Sequence, residues 1–343
     1  MVKLKKEIIK GEIPIFFSTD DNYVPFMEVA IRSLIEHASK NYKYKIIVLN
    51  AGLKQENMDK VELLENENFQ IEFANISEAT KELEQELPNL YHFGLAAWYR
   101  LFIQGLFPQY DRVLYLDCDI VVMGDISELY NMDLHGNTLG GCKDQIIPRT
   151  PEFADYTRFA VGVDANDYIN SGILVMDLKK FREQQIEEKF IHIMNKYNCD
   201  IVDPDQAYIN FLCKDKIEYL PISWNRPAFD IVECENPNII HYNLFIKPWQ
   251  DDSIFLGEYF WHYAKQSPFY DYIQQVRDSF DDEARAKKVA SNARLVEHTV
   301  ELLKSNNTFA KIFGNQNVQE VVCKDINGQI EFDFETLKRK VRA

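Results

Sequence analysis

The 343-residue chain has few cysteines and lacks the motifs of several common enzyme classes. Its six cysteines are scattered without a C-x-x-C pair, which argues against a zinc site or a disulfide framework and predicts reduced thiols. No G-x-G-x-x-G or G-K-[ST] sequence occurs, so neither a dinucleotide-binding fold nor a P-loop enzyme is supported.

Long apolar runs and excess positive charge are also missing. No run approaches the ~20 apolar residues of a transmembrane helix, and no apolar segment with a cleavage site opens the chain, so we expect a cytoplasmic protein. The formal net charge of −16 argues against nucleic-acid partners. Basic residues do cluster at the C-terminus, and this cluster suits peripheral contact with the inner face of a membrane. The cluster comprises Lys338, Arg339, Lys340 and Arg342.

Apolar residues make up 46% of the chain and aromatic residues 13%, as in a well-packed globular protein. Strand and helix patterns alternate at the start, which predicts an α/β fold with parallel strands. We predict strands at 13–20, 44–49, 69–73, 113–122, 138–142, 168–178, 217–220 and 238–241. Helices are predicted at 24–37, 54–65, 96–107, 179–197, 204–211 and 276–303, with a long polar loop over 145–167. The length favours an α/β domain over residues 1–256 and a helical C-terminal region over 257–343.

An acidic pair, Asp117 and Asp119, interrupts the apolar run 113–122. Residues i and i+2 of a strand face the same side, so both carboxylates are expected to project together. Their mutual repulsion, worsened by burial, is relieved by a divalent cation with oxygen ligands. The alternative is an acidic loop without an ion, which is less favoured because both flanks have the character of core.

Polar residues also follow the first strand, at the edge of the sheet where ligands bind in α/β folds. Asp20 and Asn22 are suited to reading a ribose or base, and Tyr23 to stacking on it. A helix-start turn explains the same residues and is the better interpretation from spacing alone. Farther along, Arg100 in an apolar helix requires a partner, which could be a surface carboxylate, Asp205 or a ligand phosphate.

Later polar residues permit both structural and functional interpretations. The Asn170-Ser171-Gly172 stretch provides either a close backbone approach or an ordinary turn. Asp203 and Pro204 fit the N-cap and first position of a helix, which would make Asp205 and Gln206 ordinary first-turn residues. His241 and Lys247 suit a metal ligand and a phosphate clamp, although a lone histidine is more often structural.

Taken in order, these segments resemble glycosyltransferase family 8, the retaining sugar transferases with a GT-A fold that include relatives of lipooligosaccharide galactosyltransferases and glycogenin. The resemblance covers roughly residues 13–250. It rests on Ser18-Thr19-Asp20-Asp21-Asn22-Tyr23, Trp98-Tyr99-Arg100-Leu101, Tyr115-Leu116-Asp117-Cys118-Asp119, Asn170-Ser171-Gly172, Asp205-Gln206, and His241-Tyr242 with Lys247-Pro248-Trp249.

The resemblance implies transfer of glucose or galactose from a UDP-sugar to a glycan or glycoprotein acceptor, in a cell-envelope or protein-linked glycan. It implies Mn²⁺, or Mg²⁺, on Asp117, Asp119 and His241. Asn170 and Asp205 would hold the sugar, Gln206 would sit at its reacting face, and Asp144 would contact the acceptor. The implied donor site comprises Ser18, Thr19, Asp20, Asn22, Tyr23, Arg100, Asp117, Cys118, Asp119, Asn170, Ser171, Asp205, Gln206, His241, Leu244 and Lys247.

One departure from the family pattern is Leu244, where the H-Y-x-G-x-x-K-P-W motif has glycine. A leucine there would crowd the approach of the backbone to the phosphates. It keeps open a non-catalytic scaffold that binds sugar or nucleotide. A D-x-D phosphatase is a weaker alternative, because a nucleotide-binding half precedes the motif. Since no unassigned carboxylate in the motifs is an obvious nucleophile, we expect front-face attack rather than a covalent intermediate.

Overall fold

The computed structural model describes residues 11–78, 95–243 and 245–314. The strands are β1 Glu12–Ser18, β2 Lys43–Asn50, β3 Phe69–Asn75, β4 Arg112–Leu116, β5 Ile120–Val122, β6 Leu139–Lys143, β7 Ile169–Asp177, β8 Ile217–Tyr219, β9 Arg226–Pro227 and β10 Ile239–His241. The helices are α1 Val24–His37, α2 Gln55–Glu62, α3 Ile103–Leu106, α4 Ile126–Tyr130, α5 Pro151–Tyr156, α6 Leu178–Glu183, α7 Ile186–Tyr197, α8 Pro204–Leu212, α9 Gly257–Ala264, α10 Tyr270–Asp278, α11 Asp282–Leu302 and α12 Phe309–Phe313.

The main sheet has seven strands in the order β3-β2-β1-β4-β7-β6-β8. β1 is parallel to β2 and β4, and β2 is parallel to β3, whereas β7 is antiparallel to both β4 and β6. All of β1 after Glu12 is buried, as expected for a parallel strand covered on both faces. The predicted α/β class with a mixed, mainly parallel sheet is therefore confirmed.

A second, three-stranded sheet has the order β5-β10-β9. The chain leaves the main sheet at Leu116 and enters this second sheet at Ile120, so the acidic pair lies in the corner between the sheets. The predicted continuous strand over 113–122 is wrong in this respect. The antiparallel register of β10 pairs His241 with Ile120, which brings the histidine beside the corner.

Several helix predictions need correction. The predicted helix over 96–107 is a 3₁₀ helix, Leu95–Phe102, followed by α3. The predicted loop over 145–167 contains α5 and a π turn, Thr157–Val161, because Pro151 begins a helix rather than marking a loop. The predicted helix over 179–197 is broken at Gln185, whose φ of 53° is left-handed.

The C-terminal part of the described chain packs into the core. The predicted helix over 276–303 is two helices, α10 and α11. Beyond them, Phe309 is fully buried and stacks on Phe211 of α8, with ring centroids 4.4 Å apart. The division at residues 256 and 257 stays a prediction. Within residues 11–78, 95–243 and 245–314, no helix combines the length and apolar character needed to cross a membrane. The basic C-terminal cluster lies outside these residues.

We expect Phe309→Ala to lower the free energy of unfolding by about 3 kcal/mol, because it empties a fully buried aromatic site. The matched control is Val289→Ala on α11, whose side chain is exposed and which should change stability by less than about 0.5 kcal/mol. Denaturant titration of the full chain measures both. Equal stability of Phe309→Ala and wild type would show that α12 does not support the core.

Candidate active site

Asp117, Asp119 and His241 meet at the corner between the two sheets. His241 Nε2 lies 3.2 Å from Asp119 Oδ1 and 3.7 Å from Asp117 Oδ2. One ligand atom from each residue falls within 4.8 Å of the others. Two carboxylates and one imidazole form a donor set that suits a divalent ion such as Mn²⁺. The structure thus brings together the three metal ligands that the family resemblance implied.

Gly172 supports this cluster by a close backbone approach. Its carbonyl oxygen accepts a 2.7 Å hydrogen bond from the backbone nitrogen of Asp117. A Cβ atom at residue 172 would lie 2.4 Å from His241 Cε1 and 2.6 Å from Asp117 Oδ2. Of the two interpretations that the sequence left open for this glycine, close approach is therefore the one the structure supports.

Asn225 orients the histidine and was missed by the sequence analysis. Its Oδ1 lies 2.9 Å from His241 Nδ1, and its Nδ2 donates to Asn170 Oδ1 at 2.9 Å. Because an amide oxygen only accepts, Nδ1 carries the proton and Nε2 is left to face the two aspartates. Asn225 lies in a short 3₁₀ segment, Ile222–Asn225, and no local pattern singles it out.

Lys247 forms a buried ion pair with the second aspartate. Its Nζ donates to Asp119 Oδ2 at 2.6 Å and to the carbonyl oxygen of Tyr242 at 2.7 Å. Burial raises the pKa of Asp119, but the charge of Lys247 and the contact with His241 lower it more, to well below its usual range. Burial lowers the pKa of Lys247, but Asp119 more than reverses this shift. Both groups are therefore charged, with the ammonium adjoining the predicted metal site.

Arg100 forms the equivalent buried ion pair with Asp117. Its Nη2 donates to Asp117 Oδ1 at 2.9 Å, and its Nε lies 3.2 Å from Asp205 Oδ2. Its Nη1 donates to the carbonyl oxygen of Ser171, and the guanidinium lies 4.1 Å from the centre of the Tyr115 ring. Asp205 was one of the three kinds of partner considered from the sequence, whereas Asp117 was not. Arg100 thus links the acidic corner to the start of α8.

The residues predicted to surround the donor sugar form one hydrogen-bonded group. Gln206 Oε1 accepts from the backbone nitrogen of Ser171 at 3.1 Å and from Asn170 Nδ2 at 3.3 Å. Ser171 Oγ donates to Asp205 Oδ2 at 2.7 Å. Asp144 Oδ2 lies 3.4 Å from Asn170 Nδ2 and 3.5 Å from Gln206 Nε2. Burial raises the pKa of Asp205 despite the charge of Arg100.

Asp203 is a buried carboxylate just before this group. The predicted N-cap role is wrong for its side chain, which makes no capping hydrogen bond. Instead its two oxygens accept from the hydroxyls of Tyr156 and Tyr168, each at 2.7 Å. Burial raises the pKa of Asp203 to about 7, against the opposing effect of the two hydroxyls. The carboxylate fastens the start of α8, and hence Asp205 and Gln206, to α5 and the region before β7.

The loop after β1 has the local geometry of a helix start. Asp20 Oδ1 accepts from the backbone nitrogens of Asn22 at 2.9 Å and Tyr23 at 3.0 Å. Thr19 Oγ1 and Ser18 Oγ donate to backbone carbonyls of Asp20 and Ala96. Tyr23 is partly exposed, with its ring centroid 6.1 Å from that of Trp249. The loop therefore lies beside Trp249 of the Lys247-Pro248-Trp249 segment and exposes the ring of Tyr23 to solvent.

Two further residues of the implied donor site have different outcomes. Cys118 is buried, and its thiol donates to the carbonyl oxygen of Ser18. Burial raises the pKa of this thiol well above its ordinary value, so Cys118 links the acidic corner to the β1 loop as a neutral group. Leu244 lies outside the described residues.

The fold is similar to that of a solved sugar transferase. The galactosyltransferase LgtC, solved in complex with donor and acceptor sugar analogs, has a similar fold, with a TM-score of 0.62. The similarity covers 80% of this chain and 100% of LgtC, at 24% sequence identity. The predicted GT-A fold is thereby confirmed.

The chain belongs to glycosyl transferase family 8, whose family model matches residues 14–253. Glycosyltransferase GlyE of Streptococcus pneumoniae is 28% identical over 278 residues, which cover 73% of this chain and 60% of GlyE. The lipopolysaccharide 1,2-glucosyltransferase of Escherichia coli is 28% identical over 273 residues, which cover 74% of this chain and 78% of that enzyme. The chain is therefore a glycosyltransferase by family, and it spans less than two thirds of the length of GlyE.

We expect Gly172→Ala to reduce transfer activity by about 100-fold, because the new methyl group displaces His241 and Asp117 from each other. The control is Gly257→Ala, where the added Cβ would be 3.5 Å from its nearest neighbour. Donor turnover and Mn²⁺ affinity measure the effect. Unchanged Mn²⁺ affinity in folded Gly172→Ala would contradict the role of this glycine as a support for the ligands.

Asp203 predicts a pH-dependent stability. Its pKa in the folded state is about 7, above the unfolded value of about 3.9, so its stabilising protonation is fully present below pH ~4 and lost as the pH rises through ~7. The difference in unfolding free energy between wild type and Asp203→Asn should therefore fall steadily over this pH range. Denaturant titrations at several pH values measure it. A difference that is constant with pH would contradict the raised pKa.

Proposed function

We propose that this chain transfers glucose or galactose from a UDP-sugar to a glycan acceptor, with retention of anomeric configuration and with Mn²⁺ as the metal. The observation that carries the proposal is the triangle of Asp117, Asp119 and His241, with Lys247 bound to Asp119 at its edge. A metal held by this triangle and an adjacent ammonium suit the diphosphate of a nucleotide sugar.

On the donor side, each residue has a distinct task in the proposed reaction. Asp117, Asp119 and His241 would hold the divalent ion, which supplies Lewis-acid stabilisation of the departing diphosphate. Lys247, already charged and desolvated beside Asp119, adds positive charge where negative charge develops. Tyr23, with 39% of its surface exposed, offers a ring on which the uracil base can stack.

On the sugar side, the hydrogen bonds support front-face attack. Ser171 and Arg100 both bind Asp205 Oδ2, which favours a role for this carboxylate in positioning over one as the nucleophile. Gln206 is a poor nucleophile and is suited instead to hydrogen bonding at the reacting face. In the proposed step the acceptor oxygen bonds to C1 on the face from which the phosphate leaves, and the leaving phosphate takes the acceptor proton.

On the acceptor side, an open cleft of about 450 Å³ adjoins the sugar group. Its lining is polar and contains Lys143, Asp144, Gln145, Pro148, Arg149 and Asn166. Asp144 belongs both to this cleft and to the hydrogen-bonded sugar group, as expected for a residue at the junction of donor and acceptor. A hydroxyl-rich glycan of the cell envelope or of a glycoprotein suits such a surface, and the Escherichia coli relative is named for a lipopolysaccharide substrate.

A donor screen tests the proposal. With Mn²⁺, the wild-type chain should release UDP from UDP-glucose or UDP-galactose slowly even without an acceptor, and Asp119→Ala should abolish the release because it removes a metal ligand and the partner of Lys247. The control is Asp252→Ala, whose side chain is 72% exposed and which should retain wild-type rates.

The alternatives give different results in the same screen. Silence with every UDP-sugar, together with no thermal shift by UDP and Mn²⁺, would favour the non-catalytic scaffold. Release of phosphate from simple phosphoesters without turnover of UDP-sugars would favour the phosphatase. UDP release by Asp119→Ala at the wild-type rate would show that the site is wrongly assigned.

A further inference from the structure

Helix α11 lies beyond residue 253, where the family match ends, yet it is fastened to the turn that carries Lys247. Arg285 Nη1 lies 2.5 Å from Asp251 Oδ2. The backbone nitrogen of Asp251 in turn donates to the carbonyl oxygen of Lys247 at 3.1 Å. The hydrogen bond from Arg285 is the largest cause that lowers the pKa of Asp251, to about 2. The helix is therefore held beside the proposed diphosphate site by an ion pair.

Lys288 is on the same face of α11 as Arg285, three residues farther along. Its side chain is partly buried, and no hydrogen bond or ion pair joins it to another residue in the described part of the chain. Arg285, one helical turn away, holds this face of α11 against the turn of residues 247–251, and this places Lys288 on the side of the helix that packs toward the turn of Lys247. Burial and then the charge of Lys247 lower the pKa of Lys288. The neighbouring Lys287 is different, since it is exposed and pairs with Glu283 at 2.7 Å.

Two lysine ammonium groups held at the same site repel each other, and partial burial increases the cost. An anion with several acceptor oxygens removes this cost by accepting from both ammonium groups. The charges at the proposed site leave room for one more cation. The charges of Arg100 and Asp205 cancel, Asp117 and Asp119 balance a divalent ion, and Lys247 offsets one of the two negative charges of a nucleotide-sugar diphosphate. The second charge of the diphosphate has no partner in this set.

We propose that Lys288 is a donor-binding residue that, together with Lys247, binds the diphosphate of the nucleotide sugar. This inference rests on the proposed function and adds a residue from outside the part of the chain that the family model matches. It makes α11 a part of the donor site, fastened there by Arg285 and Asp251. The C-terminal helical region would then contribute to the reaction directly, through the charge of Lys288, and also indirectly, by packing against the core.

The test compares the full-length variants Lys288→Gln, Lys288→Arg and Lys287→Gln, with UDP and uridine as probes in the presence of Mn²⁺. Lys288→Gln should bind UDP about tenfold more weakly, because a charge-assisted hydrogen bond to phosphate is lost. Its affinity for uridine should be unchanged. Lys288→Arg should restore UDP affinity, and Lys287→Gln should match wild type. Calorimetry measures the binding.

The Tm without ligand provides a second measurement. If Lys288 only stabilised the fold, the Lys288→Gln variant would have a lower Tm than wild type. Removing one of two repelling cations should leave the Tm of Lys288→Gln equal to that of wild type or higher, while the Tm increase produced by UDP and Mn²⁺ becomes smaller. The inference is overturned by wild-type UDP affinity in Lys288→Gln, or by equal losses of UDP and uridine affinity. If wild type itself binds no UDP, the proposed function fails and this inference fails with it. If wild type binds UDP and Lys288→Gln binds it with the same affinity, only this inference is refuted.

Discussion

The repulsion between the carboxylates of Asp117 and Asp119 is the constraint on which the rest of the site depends. The corner between two sheets holds both groups partly buried, where unbalanced negative charge is costly. Each carboxylate forms an ion pair with one cation, Asp117 with Arg100 and Asp119 with Lys247. His241 completes the corner, and one oxygen of each carboxylate lies within 4.8 Å of the histidine nitrogen, close enough for the three residues to hold one divalent ion.

The fold can be understood as a means of bringing these groups to one corner. β4 of the main sheet ends before the acidic pair, and β5 of the second sheet begins after it, so the pair belongs to neither ladder. β10 then places His241 beside it by pairing with β5. Asn225 connects the histidine to Asn170 at the start of β7. The proposed metal ligands and sugar-binding residues are therefore coupled through one amide side chain. Residue 172 lies among them, and a Cβ atom there would lie 2.4 Å from His241 Cε1, so only glycine fits.

The helices after residue 256 pack against elements that carry residues of the proposed site. Phe309 fills the core against α8, the helix whose first turn carries Asp205 and Gln206. Arg285 ties α11 to the turn of Lys247. The C-terminal helices thus contact both halves of the proposed site, the sugar side through apolar packing and the diphosphate side through charge. Phe309 and Arg285 both lie beyond residue 253, where the match to the family model ends.

Apolar periodicity and motif spacing are local properties, so they sufficed to predict the α/β class, most of the strands, the order of the motifs and the acidic pair. The sequence left open whether Gly172 marked a turn, and it placed Asp203 correctly at the N-cap position but did not show that its side chain bonds to two tyrosines instead of capping the helix. Those points, together with the partners of Arg100 and the contacts of Asn225, became clear from the three-dimensional structure. Each depends on contacts between residues far apart in the chain, such as Lys247 with Asp119. No local pattern encodes such a contact, since it arises only when separate strands and helices converge on one corner.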